Sequence, residues 1–347
     1  MSKLITYTSS EISELTNSRK GETKFGERIQ LIDSPDNWIE QLKNHSSQFV
    51  VLGIPEDIGV LANMGRAGTA TAWDNFLKNF LNIQHNRLCK GEWVSLLGEL
   101  DFSEEMERSR ELNPIKKNDR EELFNLVARI DEEVDHYGTE IFKAGKVPIF
   151  VGGGHNNAYG NIKALSRAKG KSVNVINFDA HTDLRPTKGR HSGNGFSYAL
   201  EEGLLNNYFI FGLHENYISE DIFNEVEKIS HRVKYNTYEE MGVRNEKSFE
   251  EELLRARHHI EQEPFGLEID LDSIPMFASS AITSSGFSAE CTRQFIHYFA
   301  QLKNVCYLHL CEGAPELYSQ ENHNLVGKLI SYLITDFMKA YMNSKKE

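Results

Sequence analysis

The sequence predicts an α/β fold of three layers, α/β/α, around a mostly parallel sheet of about eight strands, and three observations predict it. From Phe49 onward, short apolar runs of strand length alternate with amphipathic helical stretches, the pattern of parallel strands joined by helical crossovers. The runs are largely continuous in hydrophobicity, as strands covered on both faces should be. Polar residues of metal-ligand type stand where several of the runs end, and the crevice at the strand ends is where such sheets place their sites.

In chain order, residues 1–45 read as an N-terminal extension and 46–347 as a catalytic-sized core within one domain. Within the extension, Ser9 to Arg28 has the character of a linker. Strands are expected at Phe49–Gly53 and Trp93–Leu97, followed by a charge-rich surface excursion, Ser103 to Glu122. Leu123, Leu126, Val127, Ile130, Val134, Tyr137 and Ile141 then recur at helical spacing and predict one long helix leading to a strand at Val147–Val151. Further strands are expected at Ser172–Phe178, Tyr208–Gly212, Arg232–Tyr235, Phe265–Asp270 and Val305–Leu310. Ser248 and Glu251 form a capping box for a helix running to about Ile260. Val326, Leu329, Ile330, Leu333, Ile334, Phe337, Met338 and Tyr341 give the last helix a broad apolar face that should dock on the domain.

A net charge of −13 argues against a nucleic-acid partner, which would need clustered Lys and Arg, but leaves room for a locally positive pocket. No apolar run reaches the roughly 18 residues of a membrane span, so no membrane partner is expected. The first residues lack a basic region followed by an apolar stretch. The four cysteines (Cys89, Cys291, Cys306, Cys311) form no CxxC pair and suit free buried thiols. A cytoplasmic setting is expected, and the sequon at Asn44 then carries no meaning.

The chemistry concentrates in three stretches. Asp179-Ala180-His181-Thr182-Asp183 closes one predicted strand, and in an extended chain its three ionisable side chains would share a face. Asp270-Leu271-Asp272 closes another, with the same period of two. Gly152-Gly153-Gly154-His155 follows a third, where glycines permit a tight turn and present His155 at the same edge. A lone DxD is more often solvated or capping a helix, and GGGH alone is equally unspecific. Buried strands, however, seldom end in three ionisable residues. Together the three stretches assemble four carboxylates and two imidazoles without a thiolate, a donor set for hard or borderline divalent ions. So many like charges would repel without bound cations.

These motifs resemble those of the ureohydrolases: arginase, agmatinase and formimidoylglutamase. The resemblance spans roughly Phe49 to the C-terminal helix. It implies the arginase-like form of the predicted fold and two Mn2+ ions per chain. His155, Asp179, Asp183 and Asp270 would bind one ion; Asp179, His181, Asp270 and Asp272 would bind the other. The arginase histidine that follows SGN is absent, since Ser192-Gly193-Asn194 leads into Gly195-Phe196, and His191 lies before it. Asp183-Leu184-Arg185, Ser192 to Phe196, and the segment containing Gly59, Asn63 and Arg66 are instead similar to formimidoylglutamase elements, with Leu61 departing from the pattern. The resemblance therefore implies hydrolysis of N-formimidoyl-L-glutamate to L-glutamate and formamide in histidine degradation. Glu312 would hold the substrate's amidine cation, although Cys311-Glu312-Gly313-Ala314-Pro315 departs from the usual EVNP. Asp183 would carry the proton to the departing nitrogen.

A dicarboxylate substrate calls for guanidinium groups, which bind carboxylates bidentately, and Arg66, Arg185 and Arg190 are the candidates. Ser192 and Asn194 would assist them. His309 reads as a packed strand residue, and His214 as either a pocket-lining residue or a structural, hydrogen-bonded one. The alternatives are a ureohydrolase acting on a guanidino substrate such as arginine or agmatine, or a relative that binds a ligand without turnover. A homo-oligomer is expected from the resemblance.

Overall fold

The structure, a computed structural model, describes residues 3–319 and 322–345. Ten strands form one sheet: β1 (Leu4–Ile5), β2 (Gln30–Leu31), β3 (Phe49–Gly53), β4 (Val94–Leu100), β5 (Val147–Val151), β6 (Val173–Phe178), β7 (Leu205–Leu213), β8 (Val233–Thr237), β9 (Phe265–Asp270) and β10 (Val305–Cys311). Their order is β1-β4-β3-β5-β10-β9-β6-β7-β8, with β2 also pairing β4. Every pairing is parallel except that of β1 with β4.

The expected strands are all present, with small shifts at their ends. The count is ten rather than about eight because β1 and β2 are two residues each, too short to show a period. Both come from the stretch before Phe49. There, Thr8 and Glu11 form a capping box for the helix Ser9–Leu15, and Ile12 and Phe25 are buried in the core. Ser9 to Arg28 is therefore not a linker. The charge-rich Ser103 to Glu122 is likewise not an excursion: it forms the helix Ser103–Arg110 and the start of the helix Lys117–Lys143, with Met106 and Ser109 buried. Most of its charges lie on the solvated faces of these helices, while Glu105 is buried and paired with Lys3 at 2.9 Å.

The period of two in the strands divides the core into two layers. Phe49 and Val51 of β3, with Leu308 and Leu310 of β10, face the helices Ala72–Phe80, Phe249–Ile260, Ala289–Ala300 and His323–Ser344. Val50 and Leu52, with Tyr307, face Trp38–Asn44, Lys117–Lys143, Asn157–Lys169 and Gly195–Glu201. The C-terminal ends of β5, β10, β9 and β6 stand side by side at the middle of the sheet. No helix among the described residues is long and apolar enough to cross a membrane.

Candidate metal centre

The turn after β5 can be made only by glycine. Gly152 and Gly153 have φ of +94° and +74°, and a Cβ on Gly153 would lie 2.2 Å from Asn157 Nδ2 and 2.8 Å from Glu56 Oε1. Glu56 is wholly buried and holds the turn. Its Oε1 accepts the Gly154 N–H at 3.0 Å and the side-chain amides of Asn156 and Asn157 at 3.2 and 2.8 Å. Its Oε2 accepts the N–H groups of Ile58 and Gly59 at 2.8 and 3.2 Å. The result fixes His155 at the strand end, with 1% exposure.

The other two stretches converge by a different route from the one their spacing suggests. β6 stops at Phe178, and Asp179 Oδ1 accepts the His181 N–H at 2.7 Å, turning the chain at once. Asp183 takes φ of +49°, a conformation that aspartate adopts more readily than most residues. After β9 a 3-10 turn covers Leu271–Ser273, and Asp270 Oδ1 accepts the Asp272 N–H at 2.8 Å. The period-of-two expectation is thus corrected. The side chains meet because each leading aspartate folds its own backbone, not because the strand continues.

The six side chains nevertheless meet. His155 Nδ1 lies 3.4 Å from Asp179 Oδ2, 2.8 Å from Asp183 Oδ2 and 3.2 Å from Asp270 Oδ2. His181 Nδ1 lies 3.5 Å from Asp179 Oδ1 and 3.4 Å from Asp272 Oδ2. Ligand atoms of His155, Asp179, Asp183 and Asp270 fall within 4.8 Å of one another, and so do those of Asp179, His181 and Asp272. Asp179 belongs to both sets. Burial, then Asp272 and Asp179, push the Asp270 carboxyl well above the usual range, and burial with Asp179 raises Asp183. Burial lowers the proton affinity of both His155 and His181, but neighbouring charges more than offset it and hold both rings well above the ordinary imidazole range.

The donor set fits divalent ions. Both ring nitrogens of His155 and Asp272 Oδ1 are buried without a hydrogen-bond partner, and a mixed carboxylate and imidazole set suits Mn2+. Glu312, at φ +62° just past β10, accepts the His155 N–H on Oε1 at 2.8 Å, and burial and Asp272 push its carboxyl up to about 8. A model of the arginase family matches residues 47–335, well over half of the chain. The chain belongs to the arginase family. The formimidoylglutamase of Hahella chejuensis is 28% identical over 293 residues, covering 77% of this chain and 78% of that one. The crystal structure of formimidoylglutamase from Bacillus subtilis superposes with a TM-score of 0.72 at 18% identity over 94% of each chain. Trypanosoma cruzi formiminoglutamase with Mn2+ superposes with a TM-score of 0.70 at 19% identity, over 92% of this chain and 98% of that one.

In this arginase-family protein the centre opens into a cavity of about 590 Å³ whose walls include His181, Asp183, Arg185, Ser192, Asp272 and Glu312. Arg185 is exposed to the cavity, and its guanidinium makes no ion pair among the described residues. Ser192 accepts a hydrogen bond from Asn63 Nδ2 at 3.1 Å, and both line the cavity.

The structure does not bring the other candidates to it. Arg190 is buried against Asp131, with Nε to Oδ2 at 2.7 Å and Nη2 to Oδ1 at 3.0 Å, and lies between the rings of Tyr159 and Tyr198. Asn194 is saturated: its oxygen takes Arg190 Nη1 and the His191 N–H, and its amide donates to Pro186 and Gly189 carbonyls. Arg66 donates to the Ser279 and Ser280 carbonyls at 3.3 and 3.0 Å and ties two rim loops together. Arg190 and Asn194 are structural residues, because their polar groups are already used, whereas Arg66 uses Nη2 on the rim and lies outside the cavity lining. His191 also turns inward, accepting the Gly193 N–H at 3.1 Å, and burial with Arg185 and Arg190 pushes it down to about 4.

Several residues escaped the sequence reading. Glu56 and Asn157 left no trace because their roles are tertiary. Tyr217 stacks on His181 with ring centroids 5.0 Å apart and planes 11° apart, and His214 stacks behind Tyr217. Cys311 is a free thiol, as expected, yet its sulfur lies within 4.8 Å of ligand atoms of His155 and Asp270. The Glu268 carboxylate, in β9, was the residue most open to detection, since a glutamate amid buried apolar residues needs a partner.

Proposed function

We propose that this protein is a binuclear-metal hydrolase of the formimidoylglutamase type, cleaving N-formimidoyl-L-glutamate to L-glutamate and formamide. The observation that carries the reading is the meeting of His155, Asp179, His181, Asp183, Asp270 and Asp272 under a cavity that also holds Glu312 and an unpaired Arg185. The curated and solved relatives named above support the choice of substrate and of Mn2+. His155, Asp179, Asp183 and Asp270 would hold one ion, and Asp179, His181, Asp270 and Asp272 the other. When bound, two such ions supply Lewis acidity and a water ionised near neutral pH.

The chain's own groups do the rest. Water adds to the formimino carbon, the bond to the glutamate nitrogen breaks, and Asp183 delivers a proton to that departing nitrogen. Glu312, anchored by the His155 N–H, holds the amidine cation. Arg185, with Ser192 and Asn63, takes the carboxylate end, in place of the wider set of arginines expected from sequence. The enzyme would act as a single domain over 1–347, in the cytoplasm, and as a homo-oligomer.

The test is a release assay on Mn2+-loaded protein with formimidoylglutamate, arginine and agmatine. Formamide from the first is expected, with Asp183→Asn reducing turnover by at least about a hundredfold. Urea from arginine or agmatine as the main product would overturn the substrate assignment, and an undiminished Asp183→Asn variant would overturn the proton route.

A further inference from the structure

Beneath the metal centre, the face of β9 and β10 that meets the helix Lys117–Lys143 carries a cluster of polar groups within a largely apolar layer. The pairing places Gly266 beside Tyr307 and Glu268 beside His309, so the four stand in a square on one side of the sheet. Gly266 leaves room for the Tyr307 ring: a Cβ there would lie 2.1 Å from Tyr307 Cζ. That opening lets Tyr307 Oη donate to Glu268 Oε1 at 2.7 Å, while His309 Nδ1 meets Glu268 Oε2 at 2.5 Å. Glu268 and His309 are both at 0% exposure. A carboxylate buried this deeply is costly unless its acceptors are matched, and here the sheet supplies a donor to each oxygen.

Glu268 does not line the cavity, but it stands directly behind His155 of the metal-ligand cluster. Its Oε2 is 3.6 Å from His155 Nε2, on the side of the ring opposite the nitrogen that faces Asp179, Asp183 and Asp270. His155 Nε2 has no hydrogen-bond partner and no exposure, and Phe196 packs edge-on against the ring at 5.1 Å. The ring therefore has Glu268 behind it and three carboxylates in front, with the Cys311 sulfur also within 4.8 Å.

We propose that Glu268, braced by Tyr307 and His309, is a positioning residue that orients His155 so that Nδ1 carries the lone pair offered to a metal ion. The proposal rests on the metal reading above. A carboxylate behind a ligating imidazole sets which nitrogen keeps its proton, aligns the ring and strengthens it as a ligand, and removing such a partner typically weakens metal binding about 10–100-fold. The shared Oε2, caught between two imidazoles, links Tyr307 and His309 to the centre.

The experiment measures Mn2+ binding to chelator-stripped full-length protein by equilibrium dialysis, with electron paramagnetic resonance of the loaded protein. Wild type should bind two ions and give a spin-coupled spectrum. Glu268→Gln should lose about 10–100-fold in affinity for one ion while keeping the other, and the spectrum should change to that of isolated Mn2+. Glu268→Asp should recover part of the loss. Tyr307→Phe, which leaves the carboxylate in place, should weaken the same ion less, and it stands in for Glu268→Gln if that variant does not fold. Two ions bound with wild-type affinity by Glu268→Gln, or by Tyr307→Phe in its stead, would overturn the positioning role and leave the metal reading standing. Wild-type protein that binds no Mn2+ would overturn both.

Discussion

Arg185 and Arg190 are five positions apart and chemically identical, yet their surroundings assign them opposite tasks. Arg190 neutralises Asp131 in the interior, so Arg190→Met should leave a buried carboxylate unpaired and cost about 3–5 kcal/mol in urea unfolding. Arg185 faces the cavity without an internal partner, so Arg185→Ala should change stability by no more than about 0.5 kcal/mol. Its expected effect is on substrate: a rise in KM of roughly tenfold or more, the worth of a hydrogen bond between charged groups. Equal loss of stability in the two variants would contradict this division. From sequence the two were indistinguishable, because what separates them is an aspartate on a helix far away in the chain.

Among the elements, the short strand β1 is attached beside a group that titrates. Tyr7, just beyond it, donates to Glu99 Oε1 of β4 at 2.9 Å and accepts from Trp73 Nε1 at 2.8 Å. Burial, with Asp74 and Asp101 nearby, pushes the Glu99 carboxyl up to about 7 from an ordinary value of 4.5. The folded form thus favours the protonated acid. Its contribution to stability is fully present below about pH 4.5 and is lost as pH rises through about 7. Glu99→Gln stays neutral, so its melting temperature relative to wild type should rise across that window and level off above it. A difference between the two that does not vary with pH would remove Glu99 as the titrating group. The long helices and the central strands, by contrast, were readable in advance, since their apolar periods repeat over many residues. β1 and β2 were not, for a two-residue strand is defined only by the neighbour it pairs with.

For the whole molecule, four carboxylates meeting at one end of the sheet set a balance between repulsion and bound cations. Mn2+ that binds only the folded chain stabilises it by about 2.7 kcal/mol at a hundred times its Kd. Chelation should therefore lower Tm, and Mn2+ added back should restore it, as followed by calorimetry; a Tm indifferent to both would count against a metal held by the fold. The sequence by itself determined the layered α/β architecture and the six donors, because alternating periods and rare buried charges are local properties of the chain. Even there it misled on the route, since Asp179 and Asp270 turn their own backbones rather than extend their strands. Only the tertiary structure decided which arginine faces the cavity, that Glu56 braces the glycine turn, and that Glu268 stands behind His155. Each of those facts depends on a partner distant in sequence, and no local pattern encodes a contact made across the sheet.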